Sequence, residues 1–305
     1  MSGSILDPDP VFVFDAPVSA KRHEHLFEDV VVLRGKNFNP DHPSGANWVR
    51  GLEQQNKTNV DWNDHFYRQR LRALQAVDEL VDGLFHRLEQ LDLLDNTYVV
   101  YSSDNGFHIG QHRLQPGKSC GYEEDINIPL IVCGPGVAAN HSTDIVTSHT
   151  YLAPTFFSLL GMPLRDDFDG RAFPVTESGL LAAHDRTTST STSNIGDSLA
   201  AREYITLHEN NTYKAIRIVG SGYNLYYSIW CNNEHELYDM ELDPGQLDNL
   251  FLSTSAEPAS TEARVADLPI LKVMARLDSL LFVLKSCKGQ TCRKPWQALH
   301  PDDDV

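Results

Sequence analysis

The sequence predicts an α/β domain followed by a smaller α+β subdomain built on an antiparallel sheet. Three observations carry this. Between residues 65 and 94, apolar side chains recur every three or four positions, at Leu71, Leu74, Val77, Leu80, Val81, Leu84 and Leu88, which is the period of an amphipathic helix. Two short runs rich in β-branched and aromatic residues follow, "TYVVYSS" and "PLIVCGPG", and these read as buried strands. After residue 210 the texture changes to short alternating runs broken by glycine turns, as in an antiparallel sheet.

The elements follow in order. Residues 1–60 are rich in Pro, Asn, Asp and Gly and read as extended loop, with one short strand at "DVVVL". The helix then runs from about residue 65 and stops at the Asp95-Asn96 turn. The two buried strands and the helical segment "YLAPTFFSLLG" complete a doubly wound layer, in which a mostly parallel sheet is expected. Near residue 180 the composition shifts, giving a first domain over 1–180 and a second over 181–305. "TTSTSTSNIGDS" is a Ser/Thr tract that cannot build a core. "YKAIRIVG", "YNLYYSIW" and "HELYDME" are the strands of the second domain, and "DPGQLDNL" starts a turn or helix. "LPILKVMARLDSLLFVLKSC" reads as one amphipathic helix with Pro269 in its first turn.

A chain of 305 residues with 41% hydrophobic and 22% charged residues is long enough to bury a large core. Its formal charge of −17 argues against nucleic acid or an anionic membrane surface as a partner. No run of apolar residues is long enough for a transmembrane helix. The start, "MSGSILDPDPVFVFDAPVSAKRH", lacks the basic and apolar regions of a signal peptide. Other features point to a secretory history for the intact protein. Glycosylation sequons begin at Asn56, Asn140 and Asn210. Of the five cysteines, Cys287 and Cys292 in "CKGQTC" are spaced to close a small disulfide loop. Two unbonded thiols on an exposed tail are the alternative.

The stretch "SSDNGFHIGQHRLQPGK" begins at the carboxyl end of the first predicted strand, where ligands bind in such sheets. Asp104 and Asn105 offer hard oxygen donors suited to Ca²⁺ or Mg²⁺, and Gly106 lets the backbone turn away from them. From these residues alone, an Asp-Asn-Gly turn capping a strand is the plainer reading. Lys118 can hold an anion as a point charge or stand as a solvated surface lysine. His108 and His112 would share a face on a helix, but the surrounding glycines and proline argue against a helical zinc pair.

Taken together, these segments resemble the sulfatase family, most closely the fungal arylsulfatases. The likeness runs through "RHEHLF", "FYRQRLRALQAVDELVD", "SDNGFHIGQHRLQPGK", "YEEDINIPLIV", "GPGV", "LAPTFF", "FDG", "NTYKAIRI", "NLYYSIWCNNEHELYDMELDP" and "KSCKGQTCRKPW". It implies an alkaline-phosphatase-like α/β fold with a mostly parallel sheet and a four-stranded antiparallel C-terminal subdomain. It also implies a divalent cation, usually Ca²⁺, on Asp104 and Asn105. Lys118 is implied as the sulfate contact, with His108 as a second substrate-binding candidate. The implied activity is hydrolysis of a sulfate-ester small molecule, an aryl sulfate in type.

In that family a cysteine or serine in Cys-x-Pro-Ser-Arg is converted to the formylglycine nucleophile. None of Cys120, Cys133, Cys231, Cys287 and Cys292 is followed by x-Pro-Ser-Arg. The family's paired N-terminal aspartates have no match either. The resemblance therefore implies a chain that begins part-way through the catalytic domain, carries an incomplete metal site and is inactive as written. Cys133 stands where the family often has arginine, and Tyr151 where an aspartate precedes "LAPT". Cys120 either pairs with Cys231 or stays a thiol. Two other readings stand beside the hydrolase: a non-catalytic sulfatase-like binding protein, and a phosphatase or phosphodiesterase of the same superfamily.

Overall fold

A computed structural model describes residues 15–182, 199–205, 212–220, 222–251, 264–265 and 268–299. The Ser/Thr tract and the sequon at Asn210 lie outside the described residues. The chain divides into two compact units, Met1–Pro135 and Gly136–Val305.

In the first unit a short helix, α1 (Asn47–Arg50), precedes the long helix α2 (Lys57–Gln90). Helix α2 starts eight residues before the apolar periodicity does. Asn56 caps it, its side chain accepting from Asn59 N at 3.1 Å. The first two turns bury polar groups instead of apolar ones, so periodicity could not find them. Asn63 Nδ2 donates to Gln55 Oε1 at 2.7 Å, and the buried Asp64 accepts from Val32 N at 3.0 Å and from Arg34 Nη2 at 2.7 and 2.8 Å. Those same bonds explain why "DVVVL" is not a strand. Side chains of α2 take up Val32 N, through Asp64, and Val30 O, to which Arg68 Nη1 donates at 3.0 Å, so these groups need no neighbouring strand. Val32, Phe66 and Ile109 form a small apolar cluster. Further along α2 the apolar stripe lies open: Leu80 is 72% exposed.

The two strands after α2 are neighbours, as the sequence predicts. Strand β1 (Val99–Ser102) pairs with β2 (Leu130–Cys133) in a two-stranded sheet. The pair runs antiparallel, from Val99 opposite Cys133 to Ser102 opposite Leu130, which corrects the expectation of parallel strands here. The strands are also part-exposed, with Ile131 and Tyr101 open to solvent. Parallel pairing needs a crossover that carries the chain back along the sheet. The only helix between them is α3 (Glu123–Ile126), a single turn, so the chain re-enters the sheet at the end where it left.

In the second unit, helix α4 (Leu152–Leu159) matches the expected "LAPTFF" helix. Strands β3 (Leu199–Ile205), β4 (Thr212–Gly220), β5 (Tyr223–Trp230) and β6 (His235–Asp239) form an antiparallel sheet in sequence order. This is the four-stranded sheet that the resemblance implies. Alternation along β4 to β6 sorts their side chains into two faces. Ile216, Ile218, Leu225, Tyr227 and Leu237 lie in one core with Val273, Met274, Leu277, Leu280 and Leu281 of helix α5 (Ile270–Ser286). Pro269 stands as its N-cap, just outside the first turn where the sequence places it. On the other face Glu236 is buried and accepts from Ser228 Oγ at 2.9 Å, Trp230 Nε1 at 2.7 Å and Tyr238 Oη at 2.9 Å.

Cys287 and Cys292 are joined, with Cα atoms 5.2 Å apart. The loop they close is anchored by Gly289 N, which donates to Asp169 Oδ1 at 2.6 Å. Cys120, Cys133 and Cys231 form no disulfide. No helix among the described residues is long and apolar enough to cross a membrane.

Candidate functional site

The chain leaves β1 at Ser102 and turns at Ser103–Gly106. Ser103 Oγ donates to Asn105 O at 2.7 Å. The Asn105 amide is fixed by its Nδ2, which donates to Gly106 O at 2.7 Å, and its Oδ1 accepts from Lys118 Nζ at 2.7 Å. Asp104 is exposed, and among the described residues nothing donates to its carboxylate. The turn lies directly against α3: Gly106 N donates to Asp125 O at 2.8 Å and Phe107 N to Glu124 O at 2.6 Å. A Cβ on Gly106 would sit 2.0 Å from Glu124 O, so glycine is required for this approach.

Lys118 reaches Asn105 because the chain doubles back. His108 N donates to Gly117 O at 2.9 Å and Gly117 N to His108 O at 3.1 Å, an isolated antiparallel bridge that sets Lys118 beside the turn. Beneath the bridge the polar groups are buried. His108 Nδ1 donates to the Asp125 carboxylate at 2.7 and 2.9 Å, and Cys120 N donates to Asp125 Oδ2 at 2.8 Å. His108 is 2% exposed. It therefore holds the loop from below, and its ring is not at the surface where a substrate would meet it.

His112 does not share a helix face with His108; it sits in a turn at φ 51°. It stacks on Tyr122 with ring centroids 3.8 Å apart and shares a 2.8 Å hydrogen bond with Ser44 Oγ. Burial, and secondarily His108, push its imidazole down to about 3, so it is neutral at ordinary pH. Burial also raises the Glu124 carboxyl above its usual range, against the opposing hydrogen bond from Asn37 Nδ2, which is 2.6 Å long.

The structure thus brings Asp104, Asn105 and Lys118 together at one strand end. Their chemistry partly suits a divalent cation: an unengaged carboxylate stands beside an amide oxygen, and both are hard donors. Their number does not, since Ca²⁺ takes about 6–8 oxygens. Among the described residues no group of three or more His, Cys, Asp or Glu side chains is placed to hold a metal ion. Of the glycosylation candidates within the described residues, Asn56 and Asn140 are both exposed. Sequence reading missed the His108–Asp125 pair and the Glu124–Asn37 contact. The acids of "YEED" carry no spacing that marks them, and only the crossing of the turn over α3 gives them partners.

Residues 30–162 match the family model described as Sulfatase. The chain is 45% identical over 293 residues to "Sulfatase ppz1" of Metarhizium majus (strain ARSEF 297), a match covering 96% of this chain and 61% of that protein. It is 34% identical over 315 residues to an arylsulfatase of Volvox carteri, covering 96% and 46% respectively. The chain thus spans between about half and three fifths of these relatives' length. Among solved structures it is similar to BT4656, determined in complex with its substrate D-glucosamine-2-N,6-O-disulfate. That match has a TM-score of 0.58 and 25% identity, over 82% of this chain and 44% of that one. The fold is of the alkaline-phosphatase-like α/β class that these sulfatases share. Residues 30–162 thus form a sulfatase family-model domain.

Proposed function

We propose that this chain carries the cation-facing and sulfate-facing edge of a sulfuric ester hydrolase of arylsulfatase type. The observation that supports this best is the Lys118 Nζ to Asn105 Oδ1 contact of 2.7 Å beside the exposed Asp104. It gathers one cation, one carboxylate and one amide oxygen just beyond the carboxyl end of β1. Asp104 and Asn105 are the residues that would hold a divalent cation, which we take to be Ca²⁺. Bound there, the cation would neutralise charge on sulfate oxygens. Lys118 is exposed, and its ammonium, displaced from Asn105 Oδ1 by the cation, would turn toward the sulfate group, where it acts as a point charge. It attracts the sulfate group and stabilises charge that grows on its oxygens as the ester bond breaks. The bridge at His108 and Gly117, fixed by Asp125, keeps Lys118 in register with the turn. His108 acts through this positioning, consistent with its burial.

The 305 residues contain no Cys-x-Pro-Ser-Arg segment, so they supply no formylglycine nucleophile. On this reading they bind sulfate esters weakly and do not turn them over alone. The paired Cys287 and Cys292 and the exposed Asn56 and Asn140 support a secretory-pathway origin for the intact protein, with the smaller domain beginning near residue 181.

The test compares the 305-residue chain with a fusion that adds a Cys-x-Pro-Ser-Arg-bearing sulfatase segment. Both are made with the modifying enzyme and assayed on an aryl sulfate with calcium. The expected result is turnover by the fusion alone, reduced ~10²–10³-fold by Lys118→Ala. Turnover by the unfused chain, lost on Lys118→Ala, contradicts the proposed division of labour. Sulfate binding without turnover in the fusion favours the non-catalytic reading.

A further inference from the structure

A second cation, Arg70, packs next to this turn. Arg70 lies one helical turn beyond Phe66 on α2. Phe66 stacks on Phe107, with centroids 5.5 Å apart and planes at 10°. The Arg70 guanidinium lies 5.1 Å from the centroid of the same Phe107 ring. Phe107 is two residues beyond Asn105, so Arg70 is tied to the turn on which Lys118 rests.

The other arginines packed in this unit have oxygen acceptors. Arg34 holds Asp64, Arg68 holds Val30 O, Arg72 holds Leu26 O at 2.7 Å, and Arg113 holds the carbonyls of Pro40, Leu52 and Asp41. Among the described residues no oxygen accepts from Arg70, although it is only part-exposed. Its neighbours are the Phe107 ring and the tyrosines Tyr67 and Tyr101, and burial pulls its pKa down from the ordinary arginine value. Solvent reaches this part-exposed guanidinium and no described protein oxygen accepts from it, so its fork of donors is open to an anion, and a tetrahedral oxyanion matches that fork bidentately.

We propose that Arg70 is the second cation of the site and binds two oxygens of the sulfate group that Lys118 contacts. This rests on the functional reading above and extends it. Lys118 supplies charge, whereas Arg70 supplies orientation, because a guanidinium fork fixes the rotation of the anion and an ammonium does not.

The probe is inorganic sulfate, titrated at constant ionic strength into the 305-residue chain and into its Arg70→Gln, Arg70→Lys and Lys118→Gln variants, followed by NMR. Arg70→Gln is expected to weaken sulfate binding ~10-fold or more, with Arg70→Lys falling between it and the unsubstituted chain. Lys118→Gln also weakens it. If Lys118→Gln weakens binding and Arg70→Gln does not, the role of Arg70 is overturned and the site stands. If the unsubstituted chain does not bind sulfate, or neither glutamine variant changes its affinity, the site and Arg70's role both fall. Should Arg70→Gln fail to fold, phenylglyoxal labelling of the unsubstituted chain decides. Sulfate should protect Arg70 and leave Arg68 and Arg72 unchanged, and equal labelling of Arg70 with and without sulfate overturns the inference.

Discussion

In the second unit, Leu237 and Leu280 are fully buried at 0% exposure, and strands β4 to β6 pack a continuous apolar face on α5. In the first unit the most buried side chains include His112 and Asn63, while Leu80 of α2 is 72% exposed. One unit is held by apolar burial. The other combines a small apolar cluster with hydrogen bonds between buried polar groups beneath a turn. The difference separates support from chemistry: an apolar core is insensitive to pH and to which polar atoms are present, whereas a network such as His108–Asp125 fixes a loop in one geometry and depends on every member.

The largest expected effect sharpens that contrast. Leu280→Ala should cost ~2–5 kcal/mol in denaturant unfolding, while Leu80→Ala should stay within ~0.5 kcal/mol. Equal losses would mean that α2 buries its apolar stripe in solution. Next comes Asp125→Ala, which leaves His108 Nδ1 and Cys120 N without their acceptor. A loss of ~1.5–3 kcal/mol is expected, together with weaker sulfate binding as Lys118 loses its register. Stability lost with sulfate affinity intact would show that Asp125 supports the fold alone. Opening the Cys287–Cys292 bond should cost about 2 kcal/mol, since the loop it closes is short, and should leave the first unit's sulfate binding unchanged.

The stability of the first unit should also depend on pH. His112 is held at about 3 in the folded chain against 6.5 for an ordinary histidine. Between those values the unfolded chain binds the proton and the folded chain does not. Stability is therefore full above about 6.5 and falls as pH drops toward 3. Glu124 has the opposite sign: its raised carboxyl favours the folded state at low pH and loses that advantage as pH rises through its folded value. The His112 window should be visible as a slope in unfolding free energy that His112→Asn flattens. An unchanged slope would place the acid sensitivity elsewhere.

Much of the fold was legible because it rests on repeating patterns. Period-two alternation found β4, β5 and β6, and the 3.6 period found α2 and α5. The start of α2 was illegible because Asn63 and Asp64 are buried through partners outside the helix, Gln55 and Val32. The antiparallel sense of β1 and β2 was illegible because run composition carries no direction; it depends on how residues 103–129 fold back. At the site, Asp104, Asn105 and Lys118 were singled out by family likeness more than by chemistry. Arg70 carried no signal at all, since a helical arginine becomes notable only when its neighbours prove to be Phe107 and Tyr101.

The central claim is that the sulfate-facing chemistry lies at the carboxyl end of β1. Amide NMR shifts of the 305-residue chain on adding an aryl sulfate test it most directly. The account predicts shifts confined to residues 103–108, 117–120 and the turn of α2 around Arg70, abolished by Lys118→Gln. Shifts concentrated on β4 to β6, or a pattern unchanged by Lys118→Gln, would contradict it.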